Sequence, residues 1–451
     1  MDGLTNIERI GALEAMKRAR GNRLRRYPSP ARDSERLFPL ASPSVTPGYS
    51  MTREDTVYTI GSCFARNIEK VLAENGMRVL SREFDLGEIG ASLSDPSNFF
   101  NKYTIHSILN ELRWALERET FPGADVLYPV GPDRYVDAQL GMMRLDFDEA
   151  TILAFRQRYL DALAMVREAD VIVLTLGYVE TWFDRKLGLY LNIAPPLEAM
   201  TAEPRRFEFR VLSYRDVIKA LEDLHALLLR HRTKPLKMLV TVSPVPLLAT
   251  FRNMDVLVAN AYSKSVQRAA LDEFVQGKDG VDYFPSYEFV TLSNPTVAWS
   301  GRDYRHVSPD IINRIMDNVL ESYLRDDDVA VVDTGNSHGR EAVVSSMRML
   351  VKLERYDEVM HLATEHRAEI DAVPEALMIE ATAARRLGNL EAAFGACEKV
   401  YAIAPRRADA LERMIALCRP LKRQALARDL IAQHATAFPE RTEFREKYSA
   451  A

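Results

Sequence analysis

The chain of 451 residues holds only three cysteines, Cys63, Cys397 and Cys418. They are too few and too scattered for a disulfide framework or a zinc site, which points to a reducing compartment. Long apolar runs are missing as well. No segment offers the ~18 uninterrupted apolar residues of a membrane span, and the first residues carry no leader-like stretch, so a cytoplasmic protein is expected. Nor is charge of one sign in excess, since 59 Lys and Arg against 64 Asp and Glu leave a formal −5. That balance argues against binding nucleic acid or an anionic membrane by bulk charge. Outside the motif discussed below, the histidines (His106, His225, His231, His338, His361, His366 and His434) show no metal-ligand spacing, and no metal is expected.

What is present is ample core-forming material, 47% hydrophobic against 27% charged residues, enough for two or three domains. Residues 1–54 read as an irregular arm, with a short helix near Ile7–Arg20, a basic stretch from Lys17 to Arg26 and prolines from Pro28 to Pro47. A solvated arm draped over the next domain is the expectation; a contact for an anionic partner is the alternative.

From Val57 onward strands and helices alternate. Val57-Tyr58-Thr59-Ile60 has strand character, Gly61 permits a sharp turn, and Ala65, Ile68 and Leu72 mark a helix face. Ser62 is placed to cap that helix, and its first free N–H groups would surround Cys63, favouring a thiolate. Further strands are predicted at Met77–Leu80, Val171–Leu176, Met238–Val242 and Val281–Phe284, and helices at 99–118, 148–168, Asp216–Arg230, Val256–Gln276 and Pro309–Leu324, with strand-like pieces in an insertion at 119–147. This order predicts an α/β domain, one parallel sheet covered on both faces, over residues 55–325. Ligands of such sheets lie beyond the carboxyl ends of the strands. The Gly61-Ser62-Cys63 corner, the Gly90 loop, the turn at Gly177, Tyr178 and Glu180, and the Ser243-Pro244 loop should therefore converge.

A second chemical site stands before the last helix, in Asp303-Tyr304-Arg305-His306. An Asp-x-x-His turn lets the carboxylate accept one ring N–H and leaves the other nitrogen as a base. Glu180 beside Trp182 would suit a sugar, a carboxylate for hydroxyls and an indole for a ring face. Ser243, Ser263 and Lys264 read as structural, Ser243 in a turn before Pro244 and Lys264 on an exposed helix face.

Ile60-Gly61-Ser62-Cys63-Phe64-Ala65 contains the string that names the GSCFA domain family, a bacterial group that resembles a branch of the SGNH/GDSL hydrolase superfamily. Thr175-Leu176-Gly177, Ser243-Pro244-Val245, Ser263-Lys264, Phe284–Glu288 and Asp303–His306 resemble later blocks in the expected order. The resemblance implies a three-layer αβα, flavodoxin-like sandwich. It puts Cys63 at the nucleophile position, Ser62 at the neighbouring Asp position, Asp303 and His306 as orienting carboxylate and base, and Gly90 with the Cys63 amide as oxyanion donors. Gly-x-Asn-Asp is replaced by Gly177-Tyr178-Val179-Glu180, so the asparagine donor is missing. The implied activity is acyl transfer, an O-acyltransferase or esterase acting on a carbohydrate or glycoconjugate. No cofactor is implied beyond an acyl donor such as acetyl-CoA if the enzyme is a transferase. The competing class is a degenerate hydrolase fold kept as a binding protein.

Residues 326–340 read as a linker, and 341–451 as an all-helical region. Leu387-Gly388, Ala392-Ala393 and Pro405 resemble a tetratricopeptide helix pair, with weaker copies on either side. Cys397 and Cys418 fall inside helical patterns and read as core residues. Such a stack offers a surface to a protein partner.

Overall fold

The computed structural model describes residues 8–29, 36–37, 39–87, 100–140, 146–300, 303–325 and 335–449. The chain divides into two compact units, Met1–Asp326 and Asp327–Ala451. At the centre of the first lies a parallel sheet in the order β1 (Val57–Gly61), β4 (Val171–Leu176), β8 (Lys237–Val242) and β9 (Val281–Tyr283). Register places Gly61 beside Thr175 and Thr175 beside Thr241, so the strands end together at one edge.

Both faces of these strands are apolar, as a sheet covered on both sides requires. Tyr58, Ile60, Ile172, Leu174, Met238 and Val240 enter one core with helices α3 (Ile105–Leu116), α4 (Glu149–Ala164), α5 (Tyr214–His231) and α6 (Val256–Phe274). Val57, Val171, Val173 and Leu239 enter the other, with α2 (Cys63–Glu74) and α7 (Pro309–Tyr323). Each such side chain, fully buried, stabilises by about 1.5–3 kcal/mol. The helices start where short polar side chains hold their first amides. Ser213 and Asp216 form a capping box, and Ser308 accepts from Ile311 N ahead of Pro309.

The expected strand at Met77–Leu80 shrinks to one parallel bridge, Val79 to Val57, followed by a 3-10 turn at Leu80–Arg82. There the Ser81 hydroxyl, and not a carbonyl, accepts from Thr59 N at 3.3 Å, which ends the ladder. The insertion holds a hairpin, β2 (Leu127–Gly131) and β3 (Arg134–Asp137). A second sheet, β6 (Leu189–Leu191), β5 (Glu180–Asp184) and β7 (Phe207–Val211), is antiparallel and was not anticipated. The N-terminal segment carries α1 (Ala12–Gly21), which buries no side chain. Closer to the sheet the same segment is anchored, with Ala41 N on Ser293 Oγ at 2.9 Å, Gly48 N on Asp282 Oδ2 at 2.7 Å and Met51 N on Tyr323 O at 2.7 Å.

The second unit is all-helical: α8 (Gly335–Lys352), α9 (Tyr356–Glu365), α10 (Pro374–Arg386), α11 (Leu390–Ile403), α12 (Ala408–Cys418), α13 (Gln424–Ala437) and α14 (Thr442–Ser449). Part of the stretch read as a linker is thus helical from Gly335 on. Leu377, Ala381, Phe394, Leu411 and Met414 pack into one core with Cys397 and Cys418, both completely buried. Among the described residues no helix is long and apolar enough to cross a membrane.

Candidate active site

The corner after β1 is built by close approach. Gly61 has φ +142°, and a Cβ there would stand 2.1 Å from Thr175 O. Ser62 N donates to Thr175 O at 3.1 Å and to Thr175 Oγ1 at 3.0 Å, pinning β1 to β4 where α2 begins. Ser62 occupies the N-cap position but makes no capping bond, contrary to expectation; its hydroxyl lies 3.1 Å from Thr175 Oγ1. Cys63 is the first residue of α2 and partly buried, where its own amide and that of Phe64 favour a charged sulfur. Burial nonetheless pushes the thiol up from its ordinary value, against the lowering effect of Arg305, Lys264 and those amides. The resting group is a thiol and not the thiolate expected, because desolvation outweighs the helix terminus and both cations.

Cys63 opens on a cleft of about 290 Å³ at the carboxyl edge of the sheet. Ser62, Gly177, Tyr178, Glu180, Trp182 and Ser243 share its wall, so these expected residues do converge. Tyr103 and Tyr178 stack with ring centres 5.2 Å apart. Gly177 makes this possible, since a Cβ there would lie 2.6 Å from Tyr103 O. Burial raises both phenols, Tyr103 to about 12, and both sense Cys63 and Arg305. Trp182, Phe209 and Phe251 meet edge to face or tilted at 5.2–5.6 Å and share the cleft wall with Leu247 and Ile193.

Glu180 is neither a solvated carboxylate nor free for sugar hydroxyls. It is buried and accepts from Thr250 Oγ1 at 2.7 Å and Phe251 N at 3.1 Å, which ties the 246–251 loop over the cleft. Ser243 sits in its turn, accepting from Val245 N at 3.3 Å. Lys264 departs further from expectation: it is buried, on α6, and donates to Gly177 O, Ser243 O and Val245 O at 2.7–2.8 Å. The stripe Phe274, Leu271, Ala270 and Gln267 runs back through Lys264 and Ser263 at helical spacing, so the signal was legible. Burial lowers the Lys264 ammonium to about 7, while the nearby Cys63 sulfur favours its charged form.

On the last loop, His306 Nδ1 lies 2.6 Å from Asp303 Oδ2, and Asp303 Oδ1 accepts from the amides of Arg305 and His306 at 3.0 and 2.8 Å. Those bonds hold the Asp303 carboxyl down at about 2. The expected hydrogen bond from Cys63 to His306 is not formed among the described residues. His306 is exposed on the turn, and Arg305 is the member of the loop that lines the cleft. Gly90, the other expected oxyanion donor, lies outside the described residues. Arg305, Tyr103, Asn192, Phe209 and Phe251 are wall residues that sequence reasoning missed. Among the described residues no group of three His, Cys, Asp or Glu could hold a metal ion.

The first unit is therefore an α/β fold with a cysteine at a strand-to-helix corner over the carboxyl edge of a parallel sheet. The model of the GSCFA family matches residues 56–319, and the chain belongs to the GSCFA family. No curated protein and no solved structure matches it.

Proposed function

We propose that the first unit is an acyl-transfer enzyme of the SGNH type, an O-acyltransferase or carboxylic-ester hydrolase, with Cys63 as nucleophile. The observation that carries this reading is Cys63 itself: a partly buried sulfur on the first residue of a helix, facing a cleft whose wall also holds the Arg305 cation. A thiol raised by burial needs a base at the moment of attack, and His306, oriented by Asp303, is the proposed one. Hydrogen bonds of catalytic bases are often long before substrate binds. The thiol proton passes to His306 as sulfur attacks the acyl carbon. The leaving alkoxide or thiolate takes that proton, and water or an acceptor hydroxyl then releases the thioester. The Cys63 amide is the proposed oxyanion donor from the main chain, with Ser62 positioning the corner. A carbohydrate hydroxyl as acceptor and acetyl-CoA as donor are carried by the family resemblance alone; the apolar wall suits an acyl chain. The helical unit is proposed as a tetratricopeptide-like surface for a protein partner.

The test is incubation with p-nitrophenyl hexanoate and intact-mass detection of an acyl adduct. An adduct on Cys63, absent in Cys63→Ala and slowed by about 10²–10⁴ in His306→Ala, is expected. Turnover that survives Cys63→Ala sinks the reading. The missing Cys63–His306 hydrogen bond favours a second reading, a pocket without chemistry. It predicts Cys63 alkylation independent of His306 and no adduct.

A further inference from the structure

Arg305 is a cation in the cleft wall. Its side chain forms no ion pair among the described residues, and its buried Nε has no hydrogen-bond partner. Neighbouring polar groups are already committed. Lys264 places its three protons on Gly177 O, Ser243 O and Val245 O. Asn192 Nδ2 donates to Asn101 O at 2.9 Å while its oxygen accepts from Tyr103 N, so it is no substitute for the absent asparagine donor. Glu180 is held by Thr250 and Phe251. A desolvated guanidinium N–H without an acceptor is costly, and the cost is relieved when an anionic oxygen enters.

We infer that Arg305 is the receptor for an anionic oxygen on, or close to, the carbon that Cys63 attacks, in place of the asparagine donor missing from the Gly177–Glu180 turn. The inference rests on the acyl-transfer reading for its chemistry. As the Cys63 sulfur bonds to the acyl carbon, the carbonyl π pair moves to oxygen, which carries the charge until the pair returns and the leaving group departs. Donors fixed in advance around that oxygen supply much of the rate enhancement in acyl transfer. A substrate carboxylate would be held by the same guanidinium. With Trp182, Phe209, Phe251 and Leu247 lining the same cleft, the substrate class is amphipathic, an apolar acyl group whose anionic oxygen lies beside Cys63.

Two measurements test this on the full chain. Cys63 is alkylated with iodoacetate and with iodoacetamide; Arg305→Gln should lower the ratio of the two rates roughly tenfold, the size of one hydrogen bond to a charged group, and Arg305→Lys should restore part of it. Hydrolysis of p-nitrophenyl hexanoate is then compared with that of the mono-p-nitrophenyl ester of butylmalonic acid, the same acyl chain with a carboxylate on the carbon next to the ester carbonyl. A fall in kcat of about 10²–10³ on both esters in Arg305→Gln identifies the oxyanion as the bound oxygen. A rise in KM confined to the butylmalonate ester identifies a substrate carboxylate. If neither ester forms an adduct yet the alkylation ratio falls, acyl transfer is wrong and the anion receptor stands. If Arg305→Gln changes neither the ratio nor the ester kinetics, the inference is overturned.

Discussion

Two clusters of buried charge in the first unit are built on opposite plans. In one, Arg156 pairs with Glu111 at 2.7 Å and with Asp137, while Lys102 bonds Glu111 at 3.2 Å, all four side chains with no exposure. Two cations meet two anions, and Arg156 also lies over the rings of Trp114 and Tyr159. In the other, Arg305 and Lys264 flank the Cys63 thiol, and among the described residues neither is bonded to a carboxylate. The closed cluster needs nothing more and can only hold the fold. The open one leaves charge beside a cavity, which is the arrangement a ligand completes.

The sharpest way to break this contrast is by stability. Arg156→Met strands the core carboxylate of Asp137 and leaves Glu111 to Lys102 alone, and should cost about 3–5 kcal/mol, read as a lowered denaturant midpoint at constant slope. Lys264→Met leaves Ser243 O and Val245 O without their donor, Gly177 O keeping Gln267 Nε2 at 3.2 Å, and should cost about 1–3 kcal/mol, less because its own burial is unfavourable. A smaller effect separates the clusters by pH. Cys63 alkylation by iodoacetamide should rise with pH through a midpoint above the ordinary thiol value, and Arg305→Gln should move it further up, since it removes a charge that favours the thiolate, whereas Lys264, its ammonium lowered to about 7, is already neutral there. The same direction means that the stability this thiol contributes is present below about pH 8.5 and lost as pH rises beyond it. Smallest of all, Arg305→Gln should shift stability by no more than about 0.5 kcal/mol, because its side chain loses no ion pair among the described residues. A loss as large as that of Arg156→Met would place Arg305 in the structural class.

Much of the sheet was legible because parallel strands buried on both faces are written as β-branched runs, as in Val171–Leu176 and Lys237–Val242. The β5–β7 sheet was not, although Phe207-Glu208-Phe209-Arg210-Val211 alternates cleanly; it pairs with β5 across more than twenty residues, a distance at which local pattern is silent. Ser62, Cys63, Tyr178 and Trp182 are legible because loops after parallel strands share an edge. Lys264 misleads by its charge, while its helical phase points inward. Arg305 is overshadowed by its neighbour, because an Asp-x-x-His string does not say which way the turn faces.

By itself the sequence determined the strands of the central sheet and the long helices between them, the strained corner at Gly61, the family string around Cys63 and the helical character of the second unit, all of which follow from local sterics and apolar spacing. Only the tertiary structure decided the charge state of Cys63, the burial of Lys264 and the choice of Arg305 over His306 as the cleft-lining residue of its loop. Those depend on desolvation and on partners distant along the chain, such as Thr175 against Gly61 and Gly177 against Tyr103, and neither quantity is written in any short stretch of residues.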